Sequence, residues 1–384
     1  MVRCHERHQP IEQKGELQLE TDGVRVPWQD LYSFVKQVFV RIGMPDDHAT
    51  AEADAILWAN LRGVDSHGVV RIPWYLDNVD SGIMNPNPNI HVISEAAATA
   101  FIEADRAFGP VVTARATDMA IKKAKEAGVG WVLIRNHTHQ GALGQYPERI
   151  AQNGLAGLAI VCAQPNMVPF GASVAGVNNS PIAICVPAKR HPPLLLDMAT
   201  SVVAFGKLMV AADSKVPYGS GWAVDADGNP TTDPAQFAAL LPVGGAKGSG
   251  MALLFECLTS VMAANALIQP ILSGALSAPG AKHGKREAEI VRMAPHNQNS
   301  VITAIDIAHF AKLDDYTTRV DNLIDSMKSL PTADGFEEVL VPGERERQCY
   351  ADRVSNGIPL ATGTVLSVRA MAERFSIEMP GQLQ

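Results

Sequence analysis

Residues 128–141 read Gly128-Val129-Gly130-Trp131-Val132-Leu133-Ile134-Arg135-Asn136-His137-Thr138-His139-Gln140-Gly141. Ahead of them, Val112 to Ala127 is an amphipathic helix rich in Ala, Lys and Arg, which Gly128 closes. Gly130 to Arg135, apolar up to its final arginine, then reads as a buried strand. A helix around Tyr146 to Asn153 follows, then the apolar runs Leu155 to Cys162, Ile182 to Pro187 and Leu194 to Leu196. Alternating strands and helices predict an α/β protein with a mixed or parallel sheet. The glycines narrow the choice. Gly128-Val129-Gly130 lacks the third glycine of a GxGxxG and precedes its strand instead of following it. No GxxxxGK(S/T), GxSxG or HExxH is present either. A standard Rossmann dehydrogenase and an α/β-hydrolase are both disfavoured.

Outward from this centre the texture changes. Trp28 to Ile42 carries a helical stripe of Leu31, Phe34, Val35, Val38 and Phe39, ended by Gly43. Asp46 or Asp47 caps a second helix with inner face Ala49, Ala53, Ile56, Leu57 and Asn60. The first ~90 residues are thus expected to be mainly helical. Downstream, Val224 to Pro234 reads as a loop, Gly250 to Leu267 as a long buried helix, and Pro270 to Asn299 as an excursion with little periodicity. Val301 to Ile307 returns as a strand and Thr317 to Ser329 as a helix, and two short helices fall between Val339 and Glu373.

Composition limits the partners. The 384 residues are 47% apolar and 19% charged, which suits a compact enzyme. A net charge of −8 without a dense Lys/Arg run argues against nucleic acid. The five cysteines are scattered and form no CxxC, so neither a disulfide scaffold nor a zinc cluster is supported. No apolar run reaches membrane-spanning length, and the polar first twenty residues lack a secretory hydrophobic stretch. They read as a loose tail on a cytoplasmic protein.

Four clusters can carry chemistry. In Asp65-Ser66-His67-Gly68-Val69-Val70-Arg71-Ile72-Pro73-Trp74-Tyr75, proline is comfortable only in a first helical turn, so the helix starts near Val70 or Ile72. His67 and Arg71 then flank a helix N-terminus, where a small carboxylate is favoured. Alone, the stretch also reads as a surface helix behind a His-Gly turn. Asn136 to Gly141 follows a strand, where α/β proteins place their sites, and offers a histidine acid/base. Leu196-Asp197-Met198-Ala199-Thr200-Ser201 puts an acid, amides and hydroxyls at a strand end, and serves equally as a helix cap. Pro242 to Gly250, with Lys247, supplies flexible backbone, helix-start amides and a cation for phosphate, though such loops also form plain turns.

Together, DSHGVVR, NHTHQG, NNSP, LDMATSVVAFGK, DGNPTTDP, LLPVGGAKGSG and VPGERE resemble the malate/L-lactate dehydrogenase-like family of NAD(P)-dependent oxidoreductases, in family order from about Trp28 to Arg374. Its relatives include ureidoglycolate dehydrogenase, diketogulonate reductase, piperideine-2-carboxylate reductase and sulfolactate dehydrogenase. The resemblance implies a non-Rossmann α/β fold with a mixed sheet, like that of L-sulfolactate dehydrogenase, and a homodimer. It divides the chain into a disordered tail at 1–21, a helical substrate-side unit at 22–90 with 335–384, and an α/β cofactor-binding unit at 91–334. It implies that Ser66, His67, Arg71 and Tyr75 line the substrate pocket, with His139 or His67 as acid/base. Asp197, Met198, Ala199, Lys247, Gly248, Gly343, Glu344 and Arg345 would contact NAD or NADP. No metal is expected. Ala163 and the His296-Asn297-Gln298-Asn299 segment depart from the ureidoglycolate branch, and Ala246 replaces a His or Pro common in the glycine loop. The expected reaction passes a hydride between nicotinamide and C2 of a 2-hydroxy or 2-oxo acid. Cyclic imino acid reduction is the alternative, and a silent ligand-binding homologue the reading from a different class.

Overall fold

The computed structural model describes residues 24–213, 216–274 and 297–383. The expected tail and most of the Pro270–Asn299 excursion lie outside them. In chain order the N-terminal part forms β1 (Val24–Val26), α1 (Trp28–Arg41), α2 (Asp46–Leu61) and α3 (Ile72–Asp80). The middle forms β2 (His91–Glu95), β3 (Thr99–Glu103), α4 (Gly109–Ala127), β4 (Val129–His137), α5 (Gln145–Ala151), β5 (Ala156–Cys162), β6 (Ile182–Val186) and β7 (Leu194–Met198). Next come α6 (Phe205–Asp213), β8 (Ala223–Val224), β9 (Pro230–Thr231), β10 (Ala239–Leu240), α7 (Ala246–Glu256) and α8 (Gln269–Leu272). The chain ends with β11 (Gln298–Ile305), α9 (Leu313–Lys328), α10 (Glu344–Asn356), β12 (Ile358–Leu360) and α11 (Thr362–Phe375).

The main sheet runs β2-β3-β4-β11-β5-β6-β7. It is mixed, as expected: β3 and β4 pair parallel, and every other neighbour pair is antiparallel. β11 arrives late in the chain and inserts between β4 and β5. Period-2 alternation covers both faces of this centre. Val132, Ile134, Ala159, Val161, Ile302 and Ala304 pack with the alanine face of α4 and with Ile150 of α5. Leu133, Ile160 and Val301 turn the other way, towards Phe255 of α7. The α4 seam needs small residues. A Cβ on Gly130 would collide with the Ala120 carbonyl, so α4 rests almost directly on β4.

A separate apolar cluster joins α1, α2, α3, α11 and the β1–β12 pair. The stripe Leu31, Phe34, Val35, Val38 and Phe39 is fully buried there, as its spacing predicts. Phe108, at the start of α4, projects into this cluster and meets the edges of Phe39 and Tyr75 at 5.7 and 5.8 Å. It ties the helices to the sheet.

Two segments differ from expectation. Val224 to Pro234 is the turn of a hairpin, β8 with β9, whose two-residue strands are too short to show a period. Asp225 holds the turn by accepting from the amides of Asp227 and Asn229. The long helix expected over Gly250–Leu267 starts earlier, at Ala246, and passes after Glu256 into a π-helical turn at Cys257–Val261.

Gly130→Ala is expected to destabilise the protein by about 1–3 kcal/mol through overpacking of the α4 seam. A lowered urea midpoint at unchanged slope is the measurement that checks it; an unchanged midpoint contradicts this packing.

Candidate active site

The lead-in to α3 is built from two 3-10 turns, Asp65–His67 and Val69–Arg71, and Pro73 occupies the first turn of the helix. This matches the reading of Pro73. The turns are held from outside. Asn60 donates to Asp65 at 2.7 Å and accepts from the amide of Val69 at 2.9 Å. Gly68 lies against the Asn60 amide, where no Cβ fits. From α10, Arg353 makes a two-pronged bond to Asp65 at 2.6 and 2.8 Å and donates to the Asn60 carbonyl. Gly206 at the start of α6 closes on Ser66, whose Cβ is 2.5 Å from where a Cβ on Gly206 would lie.

These turns present four side chains. Ser66 Oγ is 3.0 Å from His67 Nδ1, and Arg71 donates through Nε to the Ser66 carbonyl at 2.6 Å. The Arg71 guanidinium lies 6.0 Å from the Trp74 ring, and no carboxylate among the described residues forms a salt bridge with it. Tyr75 is fully buried. Its hydroxyl is 2.7 Å from Nδ1 of His139.

His139 comes from the other half of the fold, on the loop leaving β4. Asn136, with φ of 60°, turns the chain there and accepts no strain alone: its amide bonds to Asn299 and its side chain to Glu103. His137 faces inward. Its Nδ1 bonds to the Thr138 carbonyl at 2.7 Å and its Nε2 to Ser300 at 2.9 Å, while burial pushes its pKa down to about 4. It is a neutral structural histidine. Among the described residues there is no cluster of three metal-ligating side chains. The loop is pinned further by the Gly109 amide on the His139 carbonyl and by Tyr146 on the Gln140 carbonyl. The His139 ring stacks on His67 at 5.3 Å and 21° between planes, with Trp74 edge-on at 5.7 Å. Burial, then the Arg71 charge, lowers the pKa of His67 to about 3, although the residue as a whole is only half-buried.

The remaining wall is the end of β7. Asp197 accepts from the Gly144 amide at 2.7 Å, which ties it to the His139 loop. Desolvation raises its carboxyl to about 6, although the residue as a whole is exposed. Just beyond, Val243 donates to the Thr200 carbonyl at 2.9 Å, so the glycine turn lies alongside the strand end. Gly244 and Gly245 have φ of 57° and 58°, and a Cβ on Gly248 would sit 2.5 Å from the Thr200 carbonyl. Lys247 is exposed in the first turn of α7. Gly343 packs on Leu195 of β7, whose amide bonds to the Pro342 carbonyl. Glu344 is held by Lys328 at 2.7 Å and by the Val341 amide, and Arg345 occupies the first turn of α10.

The structure sets the Asp65–Tyr75 and Asn136–Gly141 clusters against each other, ties Asp197 to the latter through Gly144, and lays the glycine turn beside Thr200, with the segment at 343–345 against β7. It adds residues that spacing did not mark: Trp74, Asn60, Gly144, Gly206 and Arg353. Only Trp74 carried a local signal, as an aromatic within the Asp65–Tyr75 stretch. Of the segment that departs from the ureidoglycolate branch, His296 lies outside the described residues. Asn299 is buried and bonded to Asn136 and Asn265.

A model of the family described as malate/L-lactate dehydrogenase matches residues 26–369. The chain is 34% identical over 366 residues to a malate dehydrogenase of Pyrococcus horikoshii, covering 92% of this chain and 96% of that protein. It is 35% identical over 314 residues to an L-sulfolactate dehydrogenase of Methanocaldococcus jannaschii, covering 81% and 86%. The solved structure of the P. horikoshii malate dehydrogenase matches with a TM-score of 0.80 at 32% identity, covering 93% of this chain and 97% of that one. Fold and cleft therefore define a dehydrogenase outside the Rossmann class. The chain belongs to the malate/L-lactate dehydrogenase family, and it is an oxidoreductase of 2-hydroxy acids that uses a nicotinamide cofactor.

The residues present fit such a cofactor. An eleven-residue helix opens on two left-handed glycines and a lysine, suited to a pyrophosphate. In the same seam the buried Thr200 hydroxyl has no partner among the described residues.

Arg353→Met is expected to cost about 1.5–3 kcal/mol of stability, the range for charge-assisted hydrogen bonds. It should also raise the KM for the acid by loosening Ser66 to Arg71. Denaturant midpoints and steady-state kinetics check both effects; a stability loss with KM unchanged refutes the positioning role.

Proposed function

We propose that the protein interconverts a small 2-hydroxy acid, of the malate, lactate or sulfolactate type, and its 2-oxo acid, using NAD or NADP. The observation that carries this reading is the meeting of Arg71, His67 and His139 between the helical layer and the strand ends. Arg71 takes the substrate carboxylate, with Ser66 beside it. A bound nicotinamide supplies the hydride acceptor or donor for C2. Asp197, Met198, Ala199, Lys247 and Gly248 are the residues proposed to hold that cofactor from the α/β side, with Gly343, Glu344 and Arg345 behind them.

His139 receives the C2 hydroxyl proton at Nε2 in oxidation and returns it in reduction. Burial and Arg71 hold His67 neutral down to about pH 3. It polarises the substrate oxygen instead. Tyr75 keeps its proton, since burial raises its pKa well above 10, and it orients the His139 ring.

The test is a panel of 2-hydroxy and 2-oxo acids, with a cyclic imino acid as control, followed by nicotinamide absorbance with NAD and NADP in turn. His139→Ala is expected to lower kcat by about 10²–10⁴-fold. Arg71→Ala should act mainly on KM. Turnover of the imino acid alone, or an unaffected His139→Ala, would sink this assignment.

The active form is proposed to be a cytoplasmic homodimer. Leu253, Leu254, Val261 and Met262 line one side of α7 and its π turn at 52, 63, 54 and 53% exposure, an uncharged stripe suited to a self-complementary contact. Light scattering on the purified protein should give twice the chain mass, and Leu254→Glu should halve it. A monomeric wild type refutes the dimer.

A further inference from the structure

Glu52 lies on α2 between Ala49 and Ala53 and is only 1% exposed. Neither of its carboxyl oxygens has a hydrogen-bond partner among the described residues. A buried carboxyl left this way is costly, and such groups call for an explanation. Its position offers one. A Cβ on Gly141 of the His139 loop would lie 3.8 Å from the Cβ of Ala55, on the next turn of α2. The charge of Glu52 acts on two buried tyrosines, Tyr75 of α3 and Tyr146 of α5, and helps to raise both hydroxyls. Beyond Tyr75 stand His139, His67 and Arg71, and His48 lies one turn back on α2 with its own Nδ1 buried and unpartnered. Burial accounts for the carboxyl being raised to about 8, with no ionised side chain acting on it.

Tyr75 has one recorded hydrogen bond, to Nδ1 of His139. For His139 to act as a base at Nε2, its proton must sit on Nδ1 and be donated to the phenol oxygen. The phenol proton then needs an acceptor of its own. Glu52 is the buried carboxyl whose charge reaches Tyr75 and whose oxygens have no partner among the described residues. Resting on the assignment of His139 above, we propose that Glu52, Tyr75 and His139 form a proton relay, with Glu52 as a positioning residue that sets which direction His139 serves.

In oxidation the C2 hydroxyl proton moves to Nε2, the Nδ1 proton moves to the Tyr75 oxygen, and the Tyr75 proton moves across one water to the Glu52 carboxylate. Three bonds to hydrogen break and three form, while the C2 hydride leaves with its electron pair. His139 is neutral before and after. No imidazolium arises beside Arg71, in surroundings that already hold His67 neutral. A protonated Glu52 runs the relay in reverse and presents Nε2–H to a 2-oxo acid.

The experiment compares wild type with Glu52→Gln across pH, in both reaction directions, together with ¹⁵N spectra of the His139 imidazole assigned with His139→Gln. In wild type, oxidation should rise and the His139 proton should shift from Nε2 to Nδ1 near pH 8, where Glu52 ionises. Glu52→Gln should remove both changes and slow oxidation at pH 9 by about 10- to 100-fold, as loss of a histidine's outer partner does, with a smaller loss in reduction. Persistence of either change in the folded variant overturns the relay. Stability supplies the control. With a folded pKa of about 8 against 4.5 unfolded, Glu52 leaves stability intact below about pH 4.5 and lowers it as pH rises to 8. A variant that flattens this decline and changes nothing else makes Glu52 merely structural. If no acid is turned over, the function proposed above fails, and the imidazole spectra still decide the relay.

Discussion

The 2.7 Å contact between Tyr75 and His139 joins two halves of the fold that have separate cores. For it to exist, α3 must stand at one depth against the loop leaving β4. Phe108 sets that depth from the α4 side, edge-on to both Phe39 and Tyr75. The turns before α3 are fixed by Asn60 and Arg353, and the histidine loop by Asn299, Gly109 and Tyr146. Each side of the contact is therefore immobilised by groups that take no part in chemistry. Groups held in this way keep their geometry without rearrangement, as the acid/base role proposed for His139 requires.

The electrostatics of the cleft have one direction. Burial moves His67 down, Asp197 up and Glu52 up, in every case towards the neutral form. Arg71 is the exception, a guanidinium with no salt-bridged carboxylate among the described residues. A chain with net charge −8 thus keeps a local positive site where few internal anions compete for it. In the function proposed above, the substrate carboxylate is the missing partner, and a planar, two-pronged bond would offset its desolvation.

Much of the fold was legible because its parts are locally periodic. The stripe on α1, the small residues on α2 and the apolar runs of β4 to β7 each declare themselves within a short window. Pro73 placed the start of α3 by backbone chemistry alone. What could not be read is pairing across the chain. β11 inserts between two strands far upstream, and Arg353 reaches Asp65 across 288 positions. Neither His67 nor His139 could be preferred from spacing, because the distinction lies in what encloses each ring. Glu52 was passed over inside an alanine-rich helix, since burial of a carboxylate has no sequence period.

The missing dinucleotide fingerprint has a related cause. In a Rossmann unit the glycine turn follows its strand directly, so strand, turn and helix are one continuous motif. Here the strand end, Asp197 to Ser201, and the turn, Pro242 to Gly248, are brought together by backbone bonds of 2.9 Å between Val243 and Thr200 and between Val202 and Leu241. The small sheet of β8, β9 and β10 lies between them in sequence. Anion binding depends on amides and a helix start being present at the site, and their order along the chain does not enter. Gly248 makes the assembly possible, because any side chain there would push the turn off Thr200. The proposed cofactor site is thus built from separate pieces, and a contiguous motif search has nothing to find.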